Sequence, residues 1–414
     1  MKEVELSPTP GADDESVSEY VFRDPTAGAA PPALSPVAPG EVFADRFLVE
    51  RALGEGGSGV VHVARVLAMP EASASGEAAP DLIPGDHVAL KILHRHLLND
   101  PQVPRRFARE ARILRRLTGE HVARLLDFGE TCGGDLYMAM ELLEGHSLDV
   151  VAGGAPMDPA RAMRLVCQIC QGLEVAHAAG VVHRDLKPLN VIVEERGGND
   201  HVRVLDFGMA KIVRGELQCS VNALTQQNMV FGTPEYMAPE QARGDEVDER
   251  CDVYAAGVML YELVTGTLPF QAATPIAMMS AHLVEEPEPP TRRAPRAPIP
   301  PALEGVVLHA LAKEPGLRYP SAAALRAAIE SALKRPDDVT SILPPPSRAE
   351  LERRDTDPAL QLPVPPGYQA AGRSSPSLTP PPARLPRVVI WLALVAAAVG
   401  VLLGLVMSLS GGGR

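Results

Sequence analysis

Val181-Val182-His183-Arg184-Asp185-Leu186-Lys187-Pro188-Leu189-Asn190 decides how this chain is read. Within six positions it sets a carboxylate, an ammonium and a carboxamide, on Asp185, Lys187 and Asn190. Twenty-one positions beyond Asp185 stands Asp206-Phe207-Gly208, a second carboxylate just ahead of a glycine. Two carboxylates and an amide on neighbouring loops can divide one task. One takes a proton from a hydroxyl; the other, with the amide, holds a hard cation through oxygen. The lysine between them is a positive charge for an anionic group in transit.

Upstream, Ala44-Asp45-Arg46-Phe47-Leu48-Val49-Glu50 is a strand-like approach to Gly54-Glu55-Gly56-Gly57-Ser58-Gly59-Val60-Val61. Glycine patterns of this kind recur in dinucleotide folds, where a helix follows. Here Val60 to Val66 alternates around β-branched residues and reads as a strand. Strand, glycine turn and strand make a flap whose amides can cover phosphates, and a Cβ would hold that backbone off its ligand. Val88-Ala89-Leu90-Lys91 is a short strand carrying a lysine. Nineteen positions on, Glu110 lies between Arg106 and Leu117, where Phe107, Ile113, Leu114 and Leu117 share a face at helical period. The arginines of that helix read as a solvated face. Leu136 to Glu141 reads as a strand that ends before Gly145. Asp158-Pro159 opens a helix to about Ala178, stopped at Gly180. Val191–Val193 and Val202–Leu205 read as a hairpin turning on Gly197-Gly198-Asn199-Asp200, and it delivers Asp206.

As a set these motifs resemble the eukaryotic-like serine/threonine protein kinases of bacteria, whose H-R-D-L-x-x-x-N, D-F-G and G-x-G-x-x-G-x-V patterns are met in full. The resemblance covers residues 44–335. It implies an α+β, bilobal protein-kinase fold, with a small antiparallel β lobe bearing one helix and a large, mainly helical lobe. It implies ATP with Mg2+ (or Mn2+) and transfer to Ser or Thr hydroxyls of proteins, this chain included. Carried over residue by residue, Asp185 is the catalytic base and Lys187 stabilises the phosphoryl group in flight. Asn190 and Asp206 bind the metal. Lys91, held by Glu110, grips the phosphates under Leu53, Gly54, Gly56 and Gly59. Val61, Ala89 and Ile192 would face the adenine, Met140 would back it, and Glu141 and Leu143 would offer backbone groups to its edge. Gly232 to Glu240 matches the stretch that docks a protein substrate. Glu240 would pair with Arg318, and Asp252 would anchor the catalytic loop. Lys187 and Thr233 favour Ser/Thr over Tyr. Arg184 would meet a phosphate on the activation segment, with Thr225 the expected autophosphorylation position; Gln227 stands where a second is common. A pseudokinase, a nucleotide-binding scaffold with this fold, would lack one of Lys91, Asp185 and Asp206. A kinase-fold enzyme for small molecules would lack the 232–240 stretch.

Outside that domain the composition changes. The chain has 414 residues, 41 prolines and a net charge of -13. So acidic a balance argues against a nucleic-acid partner. Residues 1–43 are rich in Pro, Ala, Ser and acids, and read as disordered. Residues 67–87 are an Ala-, Pro- and Gly-rich loop insertion. Cys167 and Cys170 form a C-x-x-C inside a helical pattern without a second ligand pair, and read as buried thiols. Residues 336–387 hold 13 prolines in 52 positions and read as a disordered linker with an end-to-end distance of about 40 Å. Residues 388–409 are 22 uncharged positions, as a helix about 33 Å long, enough to span a bilayer. Arg373, Arg384 and Arg387 precede this stretch, and Arg414 follows it in the short tail 410–414. That bias predicts a single-pass cell-membrane protein with its kinase-like domain in the cytoplasm, in contact with lipid and able to meet a second copy of itself.

Overall fold

A computed structural model describes residues 37–68, 82–209, 212 and 234–337. Thr225, Thr233, the core of the loop insertion, nearly all of the linker and the apolar stretch 388–409 lie outside the described residues. Among the described residues no helix is long and apolar enough to cross a membrane.

The small lobe is an antiparallel sheet in the order β1-β2-β3-β4-β6-β5. Its strands are β1 (Val42–Phe43), β2 (Phe47–Gly56), β3 (Gly59–Val66), β4 (His87–Leu93), β5 (Leu125–Glu130) and β6 (Leu136–Glu141). Register sets its two faces. Val61, Lys91 and Met138 stand opposite one another, and Val63, Ala89 and Met140 form the next row. Strand alternation puts both rows on the same face. The other face presents Val88, Leu90, Ile92, Tyr137 and Ala139, covered by Val37, Phe43 and Phe47. That cover corrects the sequence boundary. Val37 and Phe43 are buried because the outer face needs them, so packed structure begins at least as early as Val37, not at Ala44. Ala44 and Asp45, with φ of 52° and 56°, turn the chain from β1 into β2 and are not strand.

One helix, α1 (Val103–Leu114), lays Phe107, Ala111 and Leu114 on the inner side of the sheet. It ends three residues before the sequence pattern suggested. The chain leaves β6 through the hinge into the large lobe.

There β7 (His146–Ser147), β8 (Val191–Arg196) and β9 (Asn199–Val204) make a second sheet in that order. Gly197 and Gly198, at φ 60° and 79°, form its two-residue turn. A short α2 (Leu148–Ala152) precedes α3 (Pro159–Ala178), which starts and stops where its caps predicted. The Asp158 carboxylate accepts the Arg161 N–H at 2.9 Å. Among the described residues the further α-helices are α4 (Pro239–Arg243), α5 (Arg250–Thr265), α6 (Pro275–Val284), α7 (Pro290–Arg293), α8 (Pro301–Ala310) and α9 (Ala322–Lys334). Almost every residue of α5 is buried, as expected of a helix apolar on all sides. It is the pillar of the lobe. A Cβ on Gly257 would come within 2.7 Å of the Ala310 Cβ, so α5 and α8 meet over a glycine.

Candidate active site

The catalytic loop is fixed from below by one carboxylate. Asp252, on α5 and 1 % exposed, accepts the backbone N–H groups of His183 at 2.8 Å and Arg184 at 2.9 Å. Its outer oxygen also meets His177 Nε2 at 2.8 Å. Burial opposes this charge, but the His177 and His183 rings and the loop N–H groups hold the Asp252 carboxyl below the usual carboxylate range. Arg184 sits at φ 66°, a left-handed conformation that costs a non-glycine residue about 1–3 kcal/mol unless its surroundings impose it. The Asp252 bond below and the Gln241 side chain, donating to the Arg184 carbonyl at 2.8 Å, impose it here.

Held in this way, the loop turns Asp185 into the cleft. Lys187 Nζ lies 3.3 Å from an Asp185 carboxylate oxygen. Asn190 donates its amide N–H to the Asp185 carbonyl at 2.8 Å, which leaves its amide oxygen for another partner. The Leu205 N–H donates to the Asn190 carbonyl at 2.8 Å, tying the catalytic loop to the residue before Asp206. Asp206 is also left-handed, at φ 58°. Across the cleft, the Lys91 ammonium donates to its Oδ2 at 2.6 Å. Burial opposes the Asp206 charge, but Lys91 beside it, with His183 and Lys187 farther off, holds its carboxyl below the usual range. A cleft beside the loop is lined by Arg184, Asp185, Leu186, Tyr236, Met237 and Gln241.

The structure thus brings Lys91, Asp185, Lys187, Asn190 and Asp206 into one site. It does not pair Lys91 with Glu110. Glu110 is buried on α1, but no ion pair within 4.0 Å joins it to Lys91, whose ammonium is committed to Asp206. A buried ammonium takes the carboxylate that the fold sets against it, and here that is Asp206.

Of the residues assigned to the adenine pocket, Ala89 and Met140 are direct cross-strand partners, and Val61 stands one row away beside Lys91. Val61, Ala89, Met140 and Leu143 are half-buried; Leu53 and Ile192 are buried. The Glu141 side chain is occupied, accepting the Arg124 N–H at 2.6 Å and the Arg203 guanidinium. The glycine turn divides into two kinds of glycine. A Cβ on Gly59 would collide with the Ile92 carbonyl oxygen of β4, whereas one on Gly56 would meet open space. Gly59 is therefore required by the sheet itself. His94 Nε2 lies 2.9 Å from the Gly56 carbonyl and fastens the tip of the turn to the end of β4.

Residues 47–327 match the protein kinase domain model. The chain belongs to the protein kinase domain family. It is 43% identical over 294 residues to serine/threonine-protein kinase pkn3 of Myxococcus xanthus, over 70% of this chain and 51% of that one. It is 39% identical over 289 residues to PknB of Mycolicibacterium smegmatis, over 69% of this chain and 42% of that one. The chain thus spans about half or less of the length of these relatives. The kinase domain of Mycobacterium tuberculosis PknI has a similar fold, with a TM-score of 0.53 at 24% identity, over 71% of this chain and 98% of that one.

The kinase fold also explains the buried pair Glu240–Arg318. Both guanidinium arms meet the carboxylate at 2.7 Å, and Arg318 donates further to the Ala312, Arg250 and Lys313 carbonyls. Sequence reading missed His177, Gln241, Arg203 and His94. Each acts on a residue far away in the chain, so no local pattern announces it. Cys170 is fully buried on α3 and Cys167 half-buried.

Proposed function

We propose that this chain is an ATP-dependent protein serine/threonine kinase anchored at the cytoplasmic face of a membrane. One observation carries the activity: Asp185, Lys187 and Asn190 share a loop fixed by Asp252, opposite a Lys91–Asp206 pair. Asp206 and the Asn190 amide oxygen are hard oxygen donors, the kind that magnesium takes together with nucleotide phosphates. Bound there, the ion would neutralise charge on the transferring phosphate. Asp185 accepts the proton of the attacking Ser or Thr hydroxyl, and Lys187 stands beside it as a cation for the phosphoryl group. The cleft along Tyr236, Met237 and Gln241 receives the substrate residue beside that hydroxyl. Lys91 is within reach of the phosphates once released from Asp206.

Residues 388–409 form the membrane span in this reading, and the linker lets the kinase domain range over the inner surface. Concentration there favours phosphorylation of one copy by another. Thr225 is the expected target, with Arg184 receiving its phosphate. Transfer of labelled phosphate from ATP to generic protein substrates tests the activity. Lys91→Ala should abolish it with the fold intact; activity within a few-fold of the unsubstituted chain would overturn the assignment. Recovery of the full chain mainly from the soluble fraction would overturn the anchor. Absence of phosphate on Thr225, with an unimpaired Thr225→Ala variant, would overturn the switch.

A further inference from the structure

α1 carries charge that the catalytic site does not use. Arg105, Arg109 and Arg112 are exposed and follow one another at intervals of four and three residues, which places them on one face of the helix. Arg116, in the turn that closes α1, continues the line and is also exposed. Among the described residues, Arg105 and Arg112 make no ion pair, and the pairs on this helix belong to Arg106 and Arg109. Arg109, its side chain 72% exposed, has Glu110 at 4.0 Å as its nearest carboxylate. Glu110 itself is buried. In a protein of net charge -13 this is a concentrated basic stripe, and like charges at these spacings repel one another along a helix. A surface of this kind is stabilised by an anionic partner.

The same chain contains a fitting one. Residues 1–36 hold seven carboxylates, among them Asp13-Asp14-Glu15 and Glu19, against only Lys2 and Arg23. Other stretches outside the described residues fit less well. Between 210 and 233, Lys211 and Arg214 outnumber Glu216, and 336–387 balances its acids with arginines. Residues 69–81 carry Glu71, Glu77 and Asp81, well spaced. The reach also suffices. The acidic segment joins the small lobe at Val37, on the outer face of the sheet. The eighteen residues from Glu19 to Val37 span up to ~60 Å when extended, against a diameter of ~35 Å for a compact lobe of about 100 residues. A tether of this length holds its end at an effective concentration of about millimolar.

We infer that the acidic N-terminal segment of this chain, centred on Asp13 to Glu19, docks on the Arg105–Arg109–Arg112 face of α1. The contact is made of charge-assisted hydrogen bonds between carboxylates and guanidinium groups, and is independent of nucleotide.

The test is phenylglyoxal labelling of arginines in the full chain at low salt, read by peptide mass spectrometry. Arg105, Arg109 and Arg112 should label several-fold faster when Asp13→Asn, Asp14→Asn, Glu15→Gln and Glu19→Gln are combined. Arg161, paired with Asp200 in the large lobe, should label at an unchanged rate. Raising salt from about 0.01 M to about 1 M shortens the screening length from ~30 Å to ~3 Å and should erase the difference. A synthetic peptide of residues 1–30 should bind the neutralised full chain, and lose binding when Arg105, Arg109 and Arg112 are all changed to Gln. Equal labelling rates with and without the acids would overturn the inference, as would a peptide that fails to bind. Protection that survives the substitutions would also overturn it, in favour of another occupant. Loss of that protection on phosphatase treatment would name a phosphorylated segment, a need for anionic vesicles a lipid surface, and loss on neutralising Glu71, Glu77 and Asp81 the loop insertion.

Discussion

The charges below the cleft and those above it are held in different ways. Asp252 is met by His177 of α3, by two N–H groups of the catalytic loop and by the neighbouring Cys251 thiol, and Glu240 is gripped on both oxygens by an Arg318 that has three backbone carbonyls of its own. A buried group so fully engaged has one arrangement, because any other leaves a donor or acceptor without a partner. Above the cleft, Lys91 has one carboxylate partner among the described residues, and the second candidate, Glu110, sits on a separate helix. A single ion pair across the cleft leaves the ammonium free to exchange one carboxylate for another. The large lobe is therefore the fixed half of the site and the small lobe its adjustable half.

The hardest test of that division separates chemistry from stability. Asp185 is held by its loop but is not part of the anchoring bonds. Asp185→Asn should lower phosphate transfer by about 10²–10⁴-fold, the usual cost of losing a positioned base, while leaving the urea midpoint unchanged. A shifted midpoint would mean that Asp185 belongs to the fixed framework. Glu240→Ala should do the reverse. Leaving the Arg318 charge buried without its carboxylate should cost about 3–5 kcal/mol, whereas the double change Glu240→Leu/Arg318→Met should cost much less. Urea unfolding of both variants checks this.

Which parts were legible in the sequence follows the same line. α3 was legible at both ends because its signals are local: Asp158 as the cap, Pro159 in the first turn, Gly180 just after the end. The β8–β9 hairpin was announced by Gly197-Gly198, although its strands run farther than their apolar cores. The motif residues were found and the fold brings most of them together. What was not legible is which partner each charge chooses. Lys91 and Glu110 have suitable spacing, yet the ammonium lies on Asp206. The His177–Asp252 contact spans 75 positions, and the Arg203–Glu141 contact 62. Long-range pairs of this kind are decided by tertiary placement and leave no periodic trace. Val37 was missed for a similar reason, since a lone valine among prolines signals nothing until a sheet face needs covering.

Acid should separate the large lobe's anchors by the kind of group that titrates. His282, on α6, is fully buried, with the Tyr254 hydroxyl 2.8 Å from its Nδ1. Burial and the nearby Lys313 charge push its pKa down to about 3. As pH falls below about 6.5, the unfolded chain takes a proton on this ring and the folded chain does not. Stability is therefore lost on acidification, at up to about 1.4 kcal/mol per pH unit for this one group. Asp206 and Asp252, whose folded pKa values are depressed, add losses only below the ordinary carboxylate range, near pH 4. Urea unfolding from pH 7 to 5 should show a shallower slope for His282→Asn than for the unsubstituted chain. Equal slopes would show that the ring is not kept neutral by the fold.

The smallest effect asks whether even a surface cap of the fixed half is worth measuring. The Asp158 carboxylate accepts the Arg161 N–H at 2.9 Å and satisfies one of the open donors at the start of α3. That helix carries His177, which helps hold Asp252, and through Asp252 the loop bearing Asp185. Asp158→Ala should cost about 1 kcal/mol of stability, the usual worth of such a cap, and Asp158→Ser should recover most of it. Phosphate transfer at saturating ATP should be unchanged, because the cap lies at the opposite end of α3 from His177 and fraying there is local. A fall in transfer without the expected fall in stability would mean that α3 moves as a rod, and that the lower half of the site is less firmly fixed than its bonds imply.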